Sequence, residues 1–385
     1  MRVLIVHNRY QQPGGEDVMA DAEAAVLRAN GHEVERLTVD NDDLGELTPL
    51  RRAGRAIWSR SGGELVTEAA GRFGPDVIHV HNTLARLSPT AIRAAADTPA
   101  AVVMSLHNYR LICPKGTLWR DGRRCHDCVG DPAAKPGVLH GCYRDSRPAT
   151  ATVAAAMLTH RLAGTWRGVD AFCVHTDHAR RLFERGGLPA DRLHVKGNFL
   201  ADDPTPATGP GRGAVFVGRL AEEKGVRLVL GVARRTDQPV TIIGDGPMMN
   251  EVKAAELPNL TIRGQLDRPA VLDAMRAAAV VLVPSLWDEG HPLTVHEAQA
   301  AARPVAAVAH PDGGAMHDLV TDGRDGLLAP ADCYADSVIH LLNDADRIAR
   351  LGTAARSTFD SRATPGSGYT RLIDIYGRAA SIKNG

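Results

Sequence analysis

The sequence has few aromatic residues, no excess of either charge and no long apolar run. Phe, Trp and Tyr make up only 4% of its 385 residues. Basic and acidic side chains number 45 each, so the formal net charge is zero, which argues against a nucleic-acid partner. No stretch of about 18 apolar residues is present, so no membrane-spanning helix is expected. The N-terminal MRVLIVHNRY lacks the apolar run of a secretion signal, and we expect a cytoplasmic protein.

Hydrophobic residues make up 44% of the chain, which is enough for a sizeable core. Short apolar runs such as RVLIV, from Arg2, alternate with helical patterns such as DVMADAEAAVLRAN, from Asp17. This alternation predicts βαβ units, parallel sheets and an α/β fold. It is interrupted at 201–213, where three prolines and three glycines indicate a linker. The predicted domains are two Rossmann-like domains at 1–200 and 214–365, the linker at 201–213, and a C-terminal helix at 366–385 that packs back on one of them.

Two carboxylates flank a predicted helix N-terminus in PSLWDEGHPLTVHEAQA, which begins at Pro284. Glu289 lies in the loop before the helix, and Glu297 lies in its first turn. The amides at the start of such a helix form an anion site, and carboxylates beside it suit sugar or ribose hydroxyls. The alternative is a capping box, in which Thr294 and Glu297 only satisfy backbone amides.

Two further glycine-containing turns follow predicted strands. In VFVGRLAEEKG, the strand ends at Gly218, and Arg219 and Lys224 stand where a diphosphate could bind. The alternative is that both cations are solvated surface charges. In the first loop, NRYQQPGGED, Gly14 and Gly15 precede a helix that could admit a phosphate or sugar. The dinucleotide pattern G-x-G-x-x-G is absent, which argues against NAD.

Four of the six cysteines fall in a Gly-, Pro- and Arg-rich insertion at about 110–148. Their spacing, C-x11-C-x2-C-x13-C, is compatible with a tetrahedral structural zinc site, and the alternative is four unconnected thiols. The candidate ligands are Cys113, Cys125, Cys128 and Cys142. No Asp-x-Asp lies near the candidate anion sites, so we expect no metal or other cofactor in catalysis.

The segment LRRAGRAIWSR, from Leu50, combines arginines with Ile57 and Trp58. Two interpretations stay open: a solvated helix face, or peripheral contact with the inner face of the membrane. The residues that would make this contact are Arg51, Arg52, Arg55 and Trp58.

Taken together, these motifs resemble retaining glycosyltransferases of family 4, which have the GT-B fold. The matching segments run in family order over nearly the whole chain: PGGED, DVIHVHN, SLHNYRLICP, VGRLAEEKG, IIGDGP, PSLWDEGHPLTVHEA and ARPVAAVAHPDGGAMHDLV. The resemblance implies two Rossmann-like domains facing each other across a cleft. His291, Ala302 and Asp318 depart from the usual family residues, and His291 leaves the donor sugar open.

The resemblance also implies roles for individual residues. Arg219 and Lys224 would hold the diphosphate and stabilise the leaving group, and Glu289 would bind sugar hydroxyls. His107 would face the donor sugar near its anomeric carbon. The remaining donor-binding residues would be Gly15, Gly218, Gly290, His291, Pro292, Leu293 and Glu297, the last of them on the ribose.

The implied function is sugar transfer, with retained anomeric configuration, from a UDP or GDP donor to a hydroxyl acceptor. A cell-surface glycan intermediate and a secondary metabolite both stay open as the acceptor. Two other classes are weighed against it. One is a nucleotide-sugar epimerase or hydrolase of the same fold, and the other is a non-catalytic nucleotide-sugar-binding protein.

Overall fold

The computed structural model describes residues 1–9, 14–41, 48–84 and 86–385. The chain divides into two units. The first unit comprises residues 1–118, 125–201 and 366–385, and the second comprises residues 119–124 and 202–365. The C-terminal helix thus belongs with the first unit, while a short piece of the cysteine-rich insertion belongs with the second.

The first unit is built on a six-stranded parallel sheet in the order β2-β1-β3-β4-β7-β8. Its strands are β1 (Arg2–Asn8), β2 (Glu33–Val39), β3 (Val77–Asn82), β4 (Ala101–Ser105), β7 (Ala171–Val174) and β8 (Leu193–Val195). The helices are α1 (Gly15–Ala29), α2 (Pro49–Ile57), α3 (Arg60–Phe73), α4 (Thr90–Ala96), α5 (Lys135–His140), α6 (Arg147–Leu162), α7 (Asp177–Arg185) and α15 (Pro365–Asn384).

The second unit contains another six-stranded parallel sheet, in the order β11-β10-β9-β12-β13-β14. Its strands are β9 (Ala214–Val217), β10 (Val240–Ile243), β11 (Leu260–Gly264), β12 (Val280–Val283), β13 (Val305–Val308) and β14 (Gly326–Ala329). Its helices are α8 (Val226–Ala233), α9 (Met249–Lys253), α10 (Arg268–Ala277), α11 (Leu293–Ala300), α12 (Ala315–Leu319), α13 (Tyr334–Leu342) and α14 (Ala345–Arg362). The hairpin strands β5 (Trp119–Arg120) and β6 (Arg123–Arg124) pair antiparallel in this unit.

The central strands β1, β4, β12 and β13 are buried on both faces, which is why they are nearly continuous apolar runs. The edge strands β2 and β11 are partly exposed and alternate apolar with polar residues. In the first unit, Leu372 and Tyr376 of α15 pack on one face of the sheet with Val3 and Ile5 of β1. This contact confirms that the C-terminal helix packs back on a domain. In the described part of the chain, no helix combines the length and apolar character needed to cross a bilayer.

Candidate functional site

The two motif loops of the second unit lie at one edge of its sheet. Strands β9 and β12 are neighbours although two strands separate them in sequence, so the strand order reverses between them. Ligands of such sheets bind beyond the carboxyl ends of the strands at this reversal. Gly218 directly follows β9, and Pro284 and Ser285 directly follow β12.

A glycine brings the two loops into contact. Gly225 has a φ of +70°, and a Cβ there would lie 1.9 Å from the carbonyl oxygen of Pro284. No side chain fits that space, so the glycine is required by close backbone approach. The amide of Leu286 also donates to the carbonyl of Glu223 at 2.8 Å. The loops that carry Lys224 and Glu289 are therefore fixed to each other.

Lys224 and Glu289 form an ion pair at this edge. The Lys224 ammonium lies 2.6 Å from Glu289 Oε1, which also accepts a hydrogen bond from the Ser285 hydroxyl at 2.6 Å. Burial opposes ionisation of Glu289, but Lys224 and Ser285 outweigh it and lower the pKa of this carboxyl. The Lys224 side chain keeps 23% of its surface exposed, so its ammonium can reach a ligand.

Arg219 lies in the same loop but does not contact Glu289. Its guanidinium pairs with Glu223, four residues further on, and its side chain is 58% exposed. The alternative that both cations are solvated surface charges therefore describes Arg219 in part. It does not describe Lys224, whose carboxylate partner is buried. A pair as exposed as Arg219–Glu223 stabilises the fold little, so it can exchange partners readily.

The capping-box interpretation of Glu297 is wrong. Helix α11 begins at Leu293 after Pro292, and no side chain caps it. Glu297 Oε1 instead lies 3.2 Å from Arg268 Nε, while Arg268 also pairs with Asp202. Burial, partly offset by Arg268, raises the pKa of Glu297. The Glu297 carboxylate therefore lies beside the N-terminus of α11. The backbone amides at that N-terminus are left for other partners.

His291 is buried between Gly290 and Pro292. Its Nδ1 lies 3.2 Å from Nε2 of His296, whose Nδ1 lies 3.0 Å from the side-chain oxygen of Gln299. The Gln299 amide donates to the carbonyl of Leu319 at 3.0 Å, which fixes the orientation of the Gln299 side chain. The residue that departs from the family pattern is thus held by neighbours on α11.

Ala302, the second departure, has a φ of +56°. This left-handed conformation costs an alanine about 1–2 kcal/mol relative to its ordinary conformations, whereas a glycine adopts it freely. The preference for glycine in the turn between α11 and β13 is therefore explained by the left-handed backbone conformation of this residue.

Arg124 is a residue of this region that the sequence analysis missed. It ends the hairpin of β5 and β6 and pairs with Asp288, directly before Glu289, and with Asp312. Its guanidinium also donates to the carbonyl of Gly313 at 2.9 Å. Asp288 is fully buried, so the pair fixes the loop that carries Glu289. Its two partners lie 164 and 188 residues along the chain, a separation that no local pattern reveals.

The first loop of the first unit is described from Gly14 onward, and Tyr10 to Pro13 lie outside the described residues. Gly14 precedes α1 with an extended backbone, and nothing lies within 4 Å of a Cβ placed on Gly14 or Gly15. Neither glycine is thus required by the local fold. Asp17 accepts from the Gly14 amide at 2.8 Å and lies 2.8 Å from His7 Nε2. Gly15 remains exposed at the helix N-terminus.

His107 follows β4 at the corresponding edge of the first sheet and is half-buried. It lines a mainly apolar cavity of about 90 Å³ together with His81, Arg110, Met104 and Trp166. Both of its ring nitrogens face other histidines, at 3.0 Å from His81 and 3.1 Å from His175. The implied contact of His107 with a donor sugar stays a prediction, and both ring nitrogens lie within hydrogen-bond distance of neighbouring histidines.

The four cysteines of the insertion lie in the first unit near one another. Burial raises the pKa of Cys128 to about 12, and the other three thiols add to this shift. Cys113 and Cys128 are buried. Among the described residues, however, the side chains that could bind a metal ion and have donor atoms within 4.8 Å of one another are Glu23, His79 and His81. The four cysteines do not form such a group. The group of Glu23, His79 and His81 is a hydrogen-bonded network, since Lys196 and Tyr376 already contact Glu23 and His79.

The basic segment forms α2, whose Arg51 and Arg52 are exposed. Trp58 stacks on the ring of His160 at 5.0 Å with an interplanar angle of 2°, and Arg93 lies over its ring. Trp58 is 41% exposed. One face of the indole is therefore committed to the fold, and the membrane contact stays a prediction.

The fold and this edge define an α/β protein of two Rossmann-like domains with a candidate phosphate site in the second. Residues 211–344 match the family model of glycosyl transferases group 1. The match lies within the second unit and agrees with the resemblance identified from the motifs.

Curated relatives match about half of the chain or less. Over 185 residues the chain is 39% identical to a GDP-mannose-dependent alpha-mannosyltransferase of Mycolicibacterium smegmatis, covering 47% of this chain and 45% of the relative. Over 162 residues it is 33% identical to a D-inositol 3-phosphate glycosyltransferase of Kribbella flavida, covering 36% and 37%. The chain thus spans less than half the length of these relatives.

Solved structures match over the whole chain. Sucrose-phosphate synthase of Thermosynechococcus elongatus has a TM-score of 0.70 at 15% identity, covering 99% of both chains. HepE of Anabaena, in complex with UDP-glucose, has a TM-score of 0.66 at 16% identity, covering 99% of this chain and 100% of HepE. At this identity the likeness shows the fold alone, and it confirms two Rossmann-like domains of the GT-B type.

Proposed function

We propose that the protein is a retaining glycosyltransferase that moves a sugar from a nucleoside-diphosphate donor to a hydroxyl acceptor. The observation that carries this proposal is the Lys224–Glu289 pair at the strand-order reversal of the second sheet. A cation that reaches the surface suits the diphosphate, and a buried ionised carboxylate beside it suits sugar hydroxyls. Neither group is needed there for the packing of the core.

In this proposal the second unit stabilises the leaving group electrostatically. Departure of the nucleoside diphosphate develops negative charge, which Lys224, held by Glu289, and the amides before α11 would stabilise from fixed positions. Arg219 would join them by exchanging Glu223 for the phosphate. Gly290 to Leu293 would contact sugar and phosphate, and Glu297 would bind ribose hydroxyls. The departing phosphate would take the proton of the acceptor hydroxyl on the same face of the sugar. No cofactor enters this scheme.

The donor we propose to examine first is GDP-mannose, because the M. smegmatis relative carries that specificity in its name at 39% identity. The 90 Å³ cavity beside His107 is a candidate for the acceptor side, because its apolar walls suit a weakly polar portion of a hydroxyl compound. A glycan intermediate and a secondary metabolite are compared by supplying each class as acceptor.

The test measures GDP release from GDP-mannose, with UDP-glucose in parallel, with and without acceptor. Sugar transfer requires that release depend on acceptor and that the product keep the anomeric configuration of the donor, as read by NMR. Release that ignores acceptor indicates a hydrolase, conversion of the sugar without release indicates an epimerase, and tight binding without turnover indicates a non-catalytic binder.

A matched pair of variants assigns the activity to the site. Lys224→Met removes the proposed phosphate contact, and Lys253→Met changes an exposed lysine on α9 of the same unit. We expect turnover to fall about 100-fold in the first variant and to stay unchanged in the second. Turnover of Lys224→Met within about threefold of the unmodified protein would make the site assignment wrong.

We also propose that Cys113, Cys125, Cys128 and Cys142 hold a structural zinc ion. The supporting observation is that burial and the three neighbouring thiols raise the pKa of Cys128 to about 12, whereas a zinc ion would stabilise its thiolate. The sulfurs have to draw closer for this. Less than about 0.2 equivalents of zinc by elemental analysis of chelator-free protein would contradict the proposal.

A further inference from the structure

A chain of three buried or half-buried histidines runs behind the candidate acceptor cavity. His175, after β7, lies with Nε2 3.1 Å from His107 Nδ1, and His107 Nε2 lies 3.0 Å from Nδ1 of His81 on β3. At one end, His175 Nδ1 lies 3.0 Å from the carbonyl oxygen of Lys196. At the other end, His81 Nε2 lies 3.5 Å from Oε2 of Glu23 on α1.

The carbonyl at one end fixes the direction of every hydrogen bond in the chain. A carbonyl oxygen only accepts, so His175 Nδ1 carries the proton. A neutral imidazole has one N–H, so His175 Nε2 accepts from His107 Nδ1–H, and His107 Nε2 in turn accepts from His81 Nδ1–H. His81 Nε2 is then a lone pair that faces a carboxylate oxygen.

Proton counting therefore leaves one link empty. The chain has four links, and three neutral histidines supply three protons. His81 Nε2 and Glu23 Oε2 are the two atoms left over, and both are buried without a hydrogen-bond partner. His79 Nδ1 also lies 3.3 Å from Glu23 Oε2, but its hydrogen bond goes to the Tyr376 hydroxyl at 2.8 Å. Two buried acceptors that face each other are unfavourable, and a single proton between them would satisfy both.

The surroundings direct that proton to the empty link. Burial lowers the pKa of His79, His107 and His175, in His175 to about 4, so these rings stay neutral. Burial opposes ionisation of Glu23, but Lys196, whose ammonium lies 2.5 Å from Glu23 Oε1, outweighs it and lowers the pKa of that carboxyl. The titratable and charged groups around the link are His7 on β1 with Asp17 of α1 behind it, His79 on β3, His107 after β4, Cys173 on β7, His175 after β7, Lys196 after β8 and Tyr376 on α15.

We propose that the junction of His81 with Glu23 is a single-proton site that locks the orientation and tautomer of His107, so that Glu23, His81 and His175 are positioning residues for it. With the proton present, all four links are filled in one direction and the ring of His107 cannot turn. Without it, the link between His81 and Glu23 is empty, while the hydrogen bond of His175 to the Lys196 carbonyl remains. The relevance of His107 to sugar transfer rests on the proposed function, whereas the proton site itself does not.

The first experiment reads the protons directly, in the full chain without substrate. Long-range ¹H–¹⁵N correlation spectra of histidine-labelled protein report which ring nitrogen carries the proton. At neutral pH we expect the Nδ1–H tautomer for His107 and His175 and a proton on both ring nitrogens of His81, with the exposed His317 as an internal reference. An Nε2–H tautomer at His107, or a His81 ring that carries a single proton, would overturn the proposal.

Variants at the carboxylate end sharpen the result. In Glu23→Gln the side-chain amide can donate to His81 Nε2, so the fourth link is filled without an added proton and the His81 ring should carry a proton on Nδ1 alone. Because this change leaves Lys196 without its partner, Glu23→Gln combined with Lys196→Met removes both charges and serves if the single variant does not fold. A second ring proton on His81 in the folded variant would contradict the assignment.

The functional measurement separates this inference from the proposed function. We expect His175→Gln to lower kcat about tenfold while the donor KM stays within about twofold, because the ring of His107 loses its anchor. If no sugar transfer is found but the tautomers are as expected, the proposed function fails and the proton site stands. If transfer is found and the tautomers are wrong, the proton site fails alone.

Discussion

Each of the two units holds a lysine–glutamate pair with a buried carboxylate, and the two pairs differ in access to solvent. Glu23 and Lys196 are both fully buried in the first unit, whereas Lys224 of the second pair is 23% exposed. In both carboxyls burial opposes ionisation and the lysine outweighs it, so both pKa values are lowered. The enclosed pair organises the interior, and the accessible pair can exchange contacts with a ligand.

The largest expected difference between the pairs is in stability. Lys196→Met leaves the Glu23 carboxylate buried without its cation, and we expect the free energy of unfolding to fall by about 3–5 kcal/mol. Lys224→Met should cost less, about 1–3 kcal/mol, because Lys224 is already partly hydrated and Ser285 still donates to the buried Glu289 carboxylate. Urea denaturation of the full chain, followed by signals from each unit, measures both. Equal losses would mean that the two pairs do not differ as described.

For turnover, we expect the accessible Lys224–Glu289 pair to matter more than the buried Lys196–Glu23 pair. Glu289→Gln keeps the shape of the side chain but removes the charge that holds Lys224, and we expect acceptor-dependent GDP release to fall about 100-fold. The control is Glu251→Gln, an exposed carboxylate of the same unit that pairs with Arg227. Comparable turnover of Glu289→Gln and Glu251→Gln would show that Glu289 is not part of the site.

Mild acid should affect the first unit before the second. Seven histidines of the first unit have a lowered pKa, against one, His310, among the described residues of the second. The stability from a lowered histidine pKa is complete above about 6.5 and is lost as the pH falls, for His175 down to about 4.

The lowered pKa of Glu289 contributes stability that is present above about 4.5 and is lost only below it. Hydrogen exchange at pH 7 and pH 5.5 should therefore show protection falling in the first unit while it holds in the second. Simultaneous loss in both units would contradict this assignment of the acid sensitivity.

The smallest expected effect lies outside both pairs and serves as a reference for them. Ala302→Gly relieves a left-handed alanine, and we expect a stability gain of about 1 kcal/mol with unchanged turnover. Thermal unfolding measures the gain, and GDP release checks the turnover. A loss of stability would show that the backbone at this turn is not strained.

The two lysine–glutamate pairs also differ in how much of each could be predicted from the sequence. Lys224 and Glu289 stand in glycine-containing loops after strands, so the sequence could mark them as candidate site residues, although it did not reveal their pairing with each other. Glu23 lies within AEAAVL of α1, four residues before the buried Leu27, and helical spacing could have placed it on the buried face. Its partner Lys196 is 173 residues away, and such a distance is closed only by the fold.

The histidine chain and the ion pairs of Arg124 could not be predicted either, because their members are far apart in the sequence. His81 and His107 each stand at the end of a strand, but only the strand order β3-β4-β7 brings them beside His175. The parallel sheets, the C-terminal helix and the family were predicted because they depend on apolar periodicity and short motifs. Tautomers and long-range pairs depend on side-chain geometry that one sequence does not contain.

The most direct test of the central claim is calorimetric titration of the full chain with GDP at fixed salt, comparing the unmodified protein, Lys224→Met and Lys253→Met. The claim that the accessible pair holds a nucleoside diphosphate predicts binding to the unmodified protein and to Lys253→Met, with affinity reduced about 100-fold in Lys224→Met. Equal affinity of all three proteins for GDP would contradict it.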